Sequence, residues 1–170
     1  SYVAILTHES KIKLGTLSDF QTHLDSEKNI CAVGPLIISE YDGKSQIFSA
    51  GGKLSKLTLI PKHMFHKSNL QAKSSFRQVQ EVDWLDQTFV LYKYSVIRNW
   101  RFDEEFGMYS EEVELHTRMR RNGWKFINLR SVEVYGYSNG VPVLTHIRQQ
   151  RILRDRLAKS RLSKSISLVY

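Results

Sequence analysis

Residues 108 to 124 read "MYSEEVELHTRMRRNGW", with Glu111, Glu112 and Glu114 ahead of His116, Arg118, Arg120 and Arg121. A carboxylate held rigidly at the mouth of a pocket can take the proton of a hydroxyl as that hydroxyl attacks carbon. Ordinary helix chemistry accounts for the same residues. Ser110 is a good N-cap, the glutamates fall where the helix dipole favours negative charge, the arginines fall at the opposite end, and Gly123 follows as a stop. The spacing predicts i,i+4 pairs Glu112–His116 and Glu114–Arg118, with Leu115 and Met119 on the buried side. Charge placement alone leaves both readings open, a structural helix and a catalytic one.

The elements around that helix alternate. "SYVAILTHES" reads as an apolar strand, and its position is that of a central, buried strand, which suggests that the sequence enters in the middle of something larger. "GTLSDFQTHLDSEKN" spaces Leu17, Phe20 and Leu24 for a short amphipathic helix with Thr16 as its cap. "ICAVGPLII" is a second buried strand closed by the turn signal "YDGK", and "QIFSAGG" is a short strand ending in a flexible glycine pair. Residues 53 to 80 are expected to form a long loop or irregular excursion. "VDWLDQTFVLYKYSVIRNW" supplies a further strand with apolar periodicity around Phe89, Leu91, Val96 and Ile97. "WKFINLRSVEVYGYSNG" supplies two short strands and a loop. The class is α/β with a mostly parallel or mixed sheet.

The chain has 170 residues, of which 41% are hydrophobic and 25% charged, as in an ordinary globular domain. Its apolar runs are strand-sized. The single cysteine, Cys31, excludes an internal disulfide and any cysteine-based zinc cluster, and its apolar setting marks it as a core residue. The net charge of +8 is uneven, because residues 146–170 carry seven Lys/Arg against one Asp. This basic tail is expected to be an amphipathic helix with Leu153, Leu157 and Ile166 on its apolar stripe. A peripheral contact with anionic membrane would set its arginines at lipid headgroups and Leu153 and Leu157 beneath them. A solvated helix is the plainer alternative, and nucleic acid is not expected as a partner.

"FDEEFGMYSEEVELHTRMRRNGWKF" resembles the segment of family 2 glycosyltransferases that usually reads FDE-x-F-F-x-Y-x-ED-x-D-L-x-x-R-x-x-x-x-G. "AVGPLI" with "SAGG", "VDWLDQTFVLYKYSVI" and "VAILTHESKIKLGTLSDF" resemble further stretches of the same family, in the same order, and together cover most of residues 2 to 140. The resemblance, rhamnosyltransferase-like in kind, implies a GT-A fold, a mixed sheet flanked by helices, with the basic C-terminal helix added. It implies inverting transfer of a sugar from a nucleotide-sugar donor to a glycan or lipid-linked acceptor, in bacterial surface polysaccharide synthesis. It implies that Glu112 is the catalytic base, with Glu111, Trp84 and Asp86 lining the substrate pocket. Trp84 also has the simpler reading of core packing.

The sequence departs from the family at several places. The usual Asp-containing metal motif reads Thr7-His8-Glu9-Ser10, which leaves Glu9 as the matching carboxylate for a divalent Mn or Mg. Glu112 stands for an aspartate, Gln87 for a glycine, and Tyr135 and Gly136 where many members have a histidine. The family's nucleotide-binding first half precedes these motifs. Residues 1–145 are therefore expected to be the C-terminal part of a GT-A-like domain and 146–170 a basic tail helix, completed by a preceding half or a partner chain. The expected setting is the cytoplasm, at the inner face of a bacterial membrane. The competing expectation is a non-catalytic GT-A-like binding module.

Overall fold

The computed structural model describes residues 1–8, 10–41, 43–106, 109–135 and 143–167. Two long strands form its spine, β3 (Ile30–Tyr41) and β9 (Lys125–Tyr135), which run parallel. β8 (Phe89–Lys93) lies antiparallel on the other side of β3, and β1 (Tyr2–Leu6) lies antiparallel outside β8. Farther along, β3 turns back into β4 (Lys44–Ser49), while β9 pairs with β7 (Val79–Val82) and then with the two-residue β2 (Lys11–Ile12). The sheet is mixed, as the sequence predicts.

The faces follow from strand periodicity. Along β8, Phe89 and Leu91 face one side while Val90 and Tyr92 face the other, and all four are buried. α1 (Thr16–Ser26) covers the first face through Phe20 and Leu24, and the Phe20 ring stacks on Phe89 at 5.2 Å. α3 (Glu111–Arg121) covers the second through Leu115 and Met119, beside the short α2 (Tyr94–Ile97). Cys31 lies in this second layer and donates to the Lys125 carbonyl at 3.3 Å; burial pushes its thiol up to about 12, so it is inert.

Several expectations are corrected. β1 is an outer strand, half-buried, with Leu6 48% exposed; its apolar run reflects one covered face, and β8 alone pairs with it among the described residues. Thr16 is the first residue of α1, behind Gly15, and Leu17 faces solvent, so Thr16, Phe20 and Leu24 make the buried stripe. β9 is one strand with an offset, where two short strands were expected. Pro35 on β3 has no N–H to donate, and the pairing jumps from Pro35–Leu129 to Leu36–Glu133. Asn128 fills the gap by donating to the carbonyls of Gly34 and Pro35, and the Arg130 N–H goes instead to Gln78 O.

Residues 53 to 80 also carry more structure than expected. β5 (Gly52–Leu54) and β6 (Pro61–His63) form a small hairpin, followed by a 3-10 turn at Leu70–Ser75. The glycine pair before it is rigid. Gly51 adopts φ +76, and a Cβ at Gly52 would lie 1.9 Å from Trp84 Cε2, so no side chain fits there without displacing the indole. The last helix, α4 (Val143–Ser167), buries Leu153 and Leu157 against Leu59, Trp84, Phe106 and Val113. Those leucines are committed to the protein core and so are not free to dip beneath lipid headgroups. Ile166 lies where side chains are outside the description. Arg156 further ties α4 to Asp103 at 2.9 Å and Glu105 at 2.6 Å, and Gln149 donates to the Phe106 carbonyl.

Candidate functional site

α3 enters through two consecutive residues in the left-handed region, Tyr109 at φ 70 and Ser110 at φ 69. Neither is a glycine, so each conformation costs free energy and is held by its surroundings. The result sets Glu111 and Glu112 together on the first turn. Ser110 occupies the N-cap position but its hydroxyl makes no cap bond. The Glu112 carboxylate lies near the backbone N–H groups of Glu112 and Ser110, which favour its ionised form.

Asp86 approaches from the connection before β8. It accepts from the Thr88 N–H at 2.9 Å and the Thr88 hydroxyl at 2.5 Å, an arrangement that fixes its carboxylate. Three carboxylates thus share one corner. Burial first, then the charges of Glu111 and Asp86, hold the Glu112 carboxyl well above its ordinary range, against the two N–H groups that favour its ionised form. Glu111 is raised for the same reasons, burial and then Asp86, and its Oε2 is buried without a hydrogen-bond partner.

Behind this corner lies a buried relay that the sequence did not disclose. The Leu85 N–H donates to His116 Nδ1 at 3.1 Å, which places the ring proton on Nε2, 2.7 Å from the Tyr92 hydroxyl. Burial pushes His116 down to about 3, so the ring is neutral. Burial also raises the Tyr92 phenol, which sits beside Gln87 and feels the Glu112 charge. The expected Glu112–His116 surface pair therefore does not form: His116 is 0% exposed and serves the core. A histidine followed by Thr117 and Arg118 in a charged helix carries no signal of such burial. The other expected pair does form, with Arg118 Nε 2.7 Å from Glu114 Oε1.

Trp84 is 2% exposed and lies in the core with Leu153 and Leu157, so core packing is its role in this structure; no ring face is offered to a ligand. Its Nε1 is buried without a partner. In front of it stands His63, which the sequence reading passed over. The His63 ring meets the Trp84 ring edge-on at 4.7 Å; its Nδ1 lies 2.9 Å from Ser49 Oγ and 3.9 Å from Asp86 Oδ2.

Glu9, the expected metal ligand, lies outside the described residues. Thr7 and Ser10 on either side of it are both tied to Thr88, through Thr7 N–H to the Thr88 carbonyl at 3.1 Å and Ser10 Oγ to the same carbonyl at 2.8 Å. His8 is exposed. Among the described residues no group of three His, Cys, Asp or Glu side chains can hold a metal ion.

No protein-family model matches the sequence, and no curated protein is similar to it in sequence. Its fold is similar to that of GalNAc-T7, a GT-A glycosyltransferase solved with UDP, GalNAc and Mn2+, with a TM-score of 0.59 at 11% identity. The similarity covers 81% of this chain and 27% of the GalNAc-T7 chain, so the chain spans about a quarter of that protein's length. The fold is GT-A-like: a curled mixed sheet flanked by helices.

Proposed function

We propose that this chain carries the acceptor-side part of a glycosyltransferase site and that Glu112 is its general base. The observation that carries this reading is a crowded, raised carboxylate on the first turn of a helix in a GT-A-like fold, with Glu111 and Asp86 beside it. In the reaction an acceptor hydroxyl forms a bond to the anomeric carbon of a nucleotide sugar. The bond from that carbon to the phosphate oxygen breaks, and its electron pair leaves with the nucleoside diphosphate. The hydroxyl proton passes to Glu112. A base whose affinity for protons is raised is better matched to this task near neutral pH than a solvated glutamate. Attack on the face opposite the leaving group gives inversion.

The finer proposals follow the sequence resemblance: a family 2, rhamnosyltransferase-like enzyme of bacterial polysaccharide assembly, cytoplasmic at the inner membrane face, with a glycan or lipid-linked acceptor. Residues 1–145 form the C-terminal part of the transferase domain and 146–170 its basic tail, with nucleotide held by a preceding half or a partner chain. A divalent Mn or Mg ion would rest on Glu9. The weakened metal motif, in which Glu9 is the only matching carboxylate, supports a second reading, a GT-A-like module that binds a glycan without turning it over. Glu112→Gln separates the two in an assay of sugar transfer. Lost turnover with intact acceptor binding supports catalysis; glycan binding without turnover in the parent chain supports the module.

A further inference from the structure

The turn after β6 and the end of β4 bring three rings to the surface beside the carboxylates. Phe48 and His63 have ring centroids 5.0 Å apart, Phe48 and His66 5.6 Å, and His63 and His66 5.9 Å. His66 is exposed and the other two are half-buried, with the His63 side chain 29% exposed. The group adjoins the site directly, since His63 Nδ1 is 3.9 Å from Asp86 Oδ2, and Asp86 acts on both Glu111 and Glu112.

The turn that presents these rings is strained. Phe65 and Lys67 take φ 58 and 62, conformations that bulky side chains rarely adopt. Phe65 is held there by its ring on Phe76 at 3.8 Å, with the buried Arg130 guanidinium over both rings, 4.9 and 5.3 Å from their centroids. His66 Nδ1 lies 2.9 Å from the Phe48 carbonyl, and the backbone of Lys67 donates to Ile47 O at 2.8 Å, which fastens the turn across β4. Such support is more than a solvated loop needs. It holds two imidazoles and a phenyl ring in a fixed cluster, with Phe48 tilted 51° to His63 and edge-on at 80° to His66, so that the platform they offer is stepped rather than flat.

We propose that Phe48, His63 and His66 form the acceptor subsite, which takes the apolar face of a pyranose ring while Asp86 accepts from that sugar's hydroxyls. Pyranose C–H groups pack against aromatic faces, imidazole N–H groups add directional donors, and the carboxylate supplies an acceptor of fixed orientation. This inference rests on the glycosyltransferase reading for the word acceptor, though the platform itself does not. The probes are methyl glycosides of glucose, galactose, N-acetylglucosamine and rhamnose, titrated into the 170-residue chain while the aromatic and imidazole proton resonances are followed. The expected result is saturable shifts at His63, His66 and Phe48 for at least one glycoside, with affinity falling up to about tenfold in His66→Ala. Because Phe48 and His63 contribute to packing, the comparison is made at the exposed His66, where His66→Phe keeps a ring and should retain more binding than His66→Ala. Shifts centred elsewhere, no shifts with any probe, or unchanged affinity in His66→Ala would overturn the proposal. Glu112→Gln should bind glycoside like the parent chain. If it binds normally yet transfer in the parent does not depend on Glu112, the base assignment fails and the platform stands.

Discussion

Glu112 and Glu114 stand on the same helix, one residue between them, yet they meet opposite environments. Glu114 is answered by Arg118 at 2.7 Å, and Arg118 is anchored in turn on the Arg101 carbonyl at 2.7 Å. Glu112 is answered by no cation among the described residues that shift its proton affinity; Glu111 and Asp86 crowd it. A carboxylate that is paired lowers the free energy of the fold, whereas one held among like charges raises it and must be retained for another reason. The contrast gives Glu114 a structural role and supports the proposed chemistry at Glu112.

The largest effect that can break this contrast is on turnover. Glu112→Gln should lower sugar transfer by about 10²- to 10⁴-fold, the span a positioned general base provides, while Glu114→Gln leaves the rate per folded molecule near that of the parent. Melting curves should show the reverse order. Glu114→Gln strips Arg118 of its partner and costs about 1–3 kcal/mol; Glu112→Gln, which relieves repulsion, should match or exceed the parent's stability at pH 7.

The dependence of stability on pH sharpens the same point. Glu112 has its folded-state affinity for protons raised, so its contribution to stability is fully present below the unfolded glutamate's range near 4.5 and is lost as pH rises through its folded value. His116 behaves oppositely. Its folded value of about 3 lies below 6.5, so its contribution is present above 6.5 and is lost as pH falls toward 3. Denaturant unfolding across pH 3 to 8 should show the alkaline loss flattened in Glu112→Gln and the acid loss unchanged in that variant. A narrower effect belongs to Asp86→Asn, read at saturating acceptor so that weaker acceptor binding does not enter. It removes one of the two neighbouring charges, and the acid limb of the rate profile should move to lower pH.

How much of this was written in the sequence depends on the range of the interactions involved. The helix from Glu111 to Arg121, its stop at Gly123 and the Glu114–Arg118 pair are local, and spacing alone foretold them. The burial of His116 was not legible, because its partners are Leu85, 31 residues away, and Tyr92, 24 away. Trp84 lost its expected place in the pocket to the core for the same reason: its neighbours Leu153 and Leu157 arrive from α4. The offset in β9 was hidden because its cause, Pro35, lies on another strand. His63 and His66 fell within the stretch from 53 to 80 whose weak patterning reads as loop, while Phe48 lies on the strand before it; a short hairpin and left-handed residues leave no periodic trace. Asp86 and Glu111 were named from the resemblance, and the structure does bring them beside Glu112.

The most direct test is a carbon-13 titration of the glutamate side-chain carboxyls in the 170-residue chain, with Glu112 assigned through Glu112→Gln. The account predicts a Glu112 midpoint well above 4.5 that falls in Asp86→Asn. A midpoint at 4.5, indifferent to Asp86, would contradict it and return Glu112 to the role of an ordinary residue on the first turn of a structural helix.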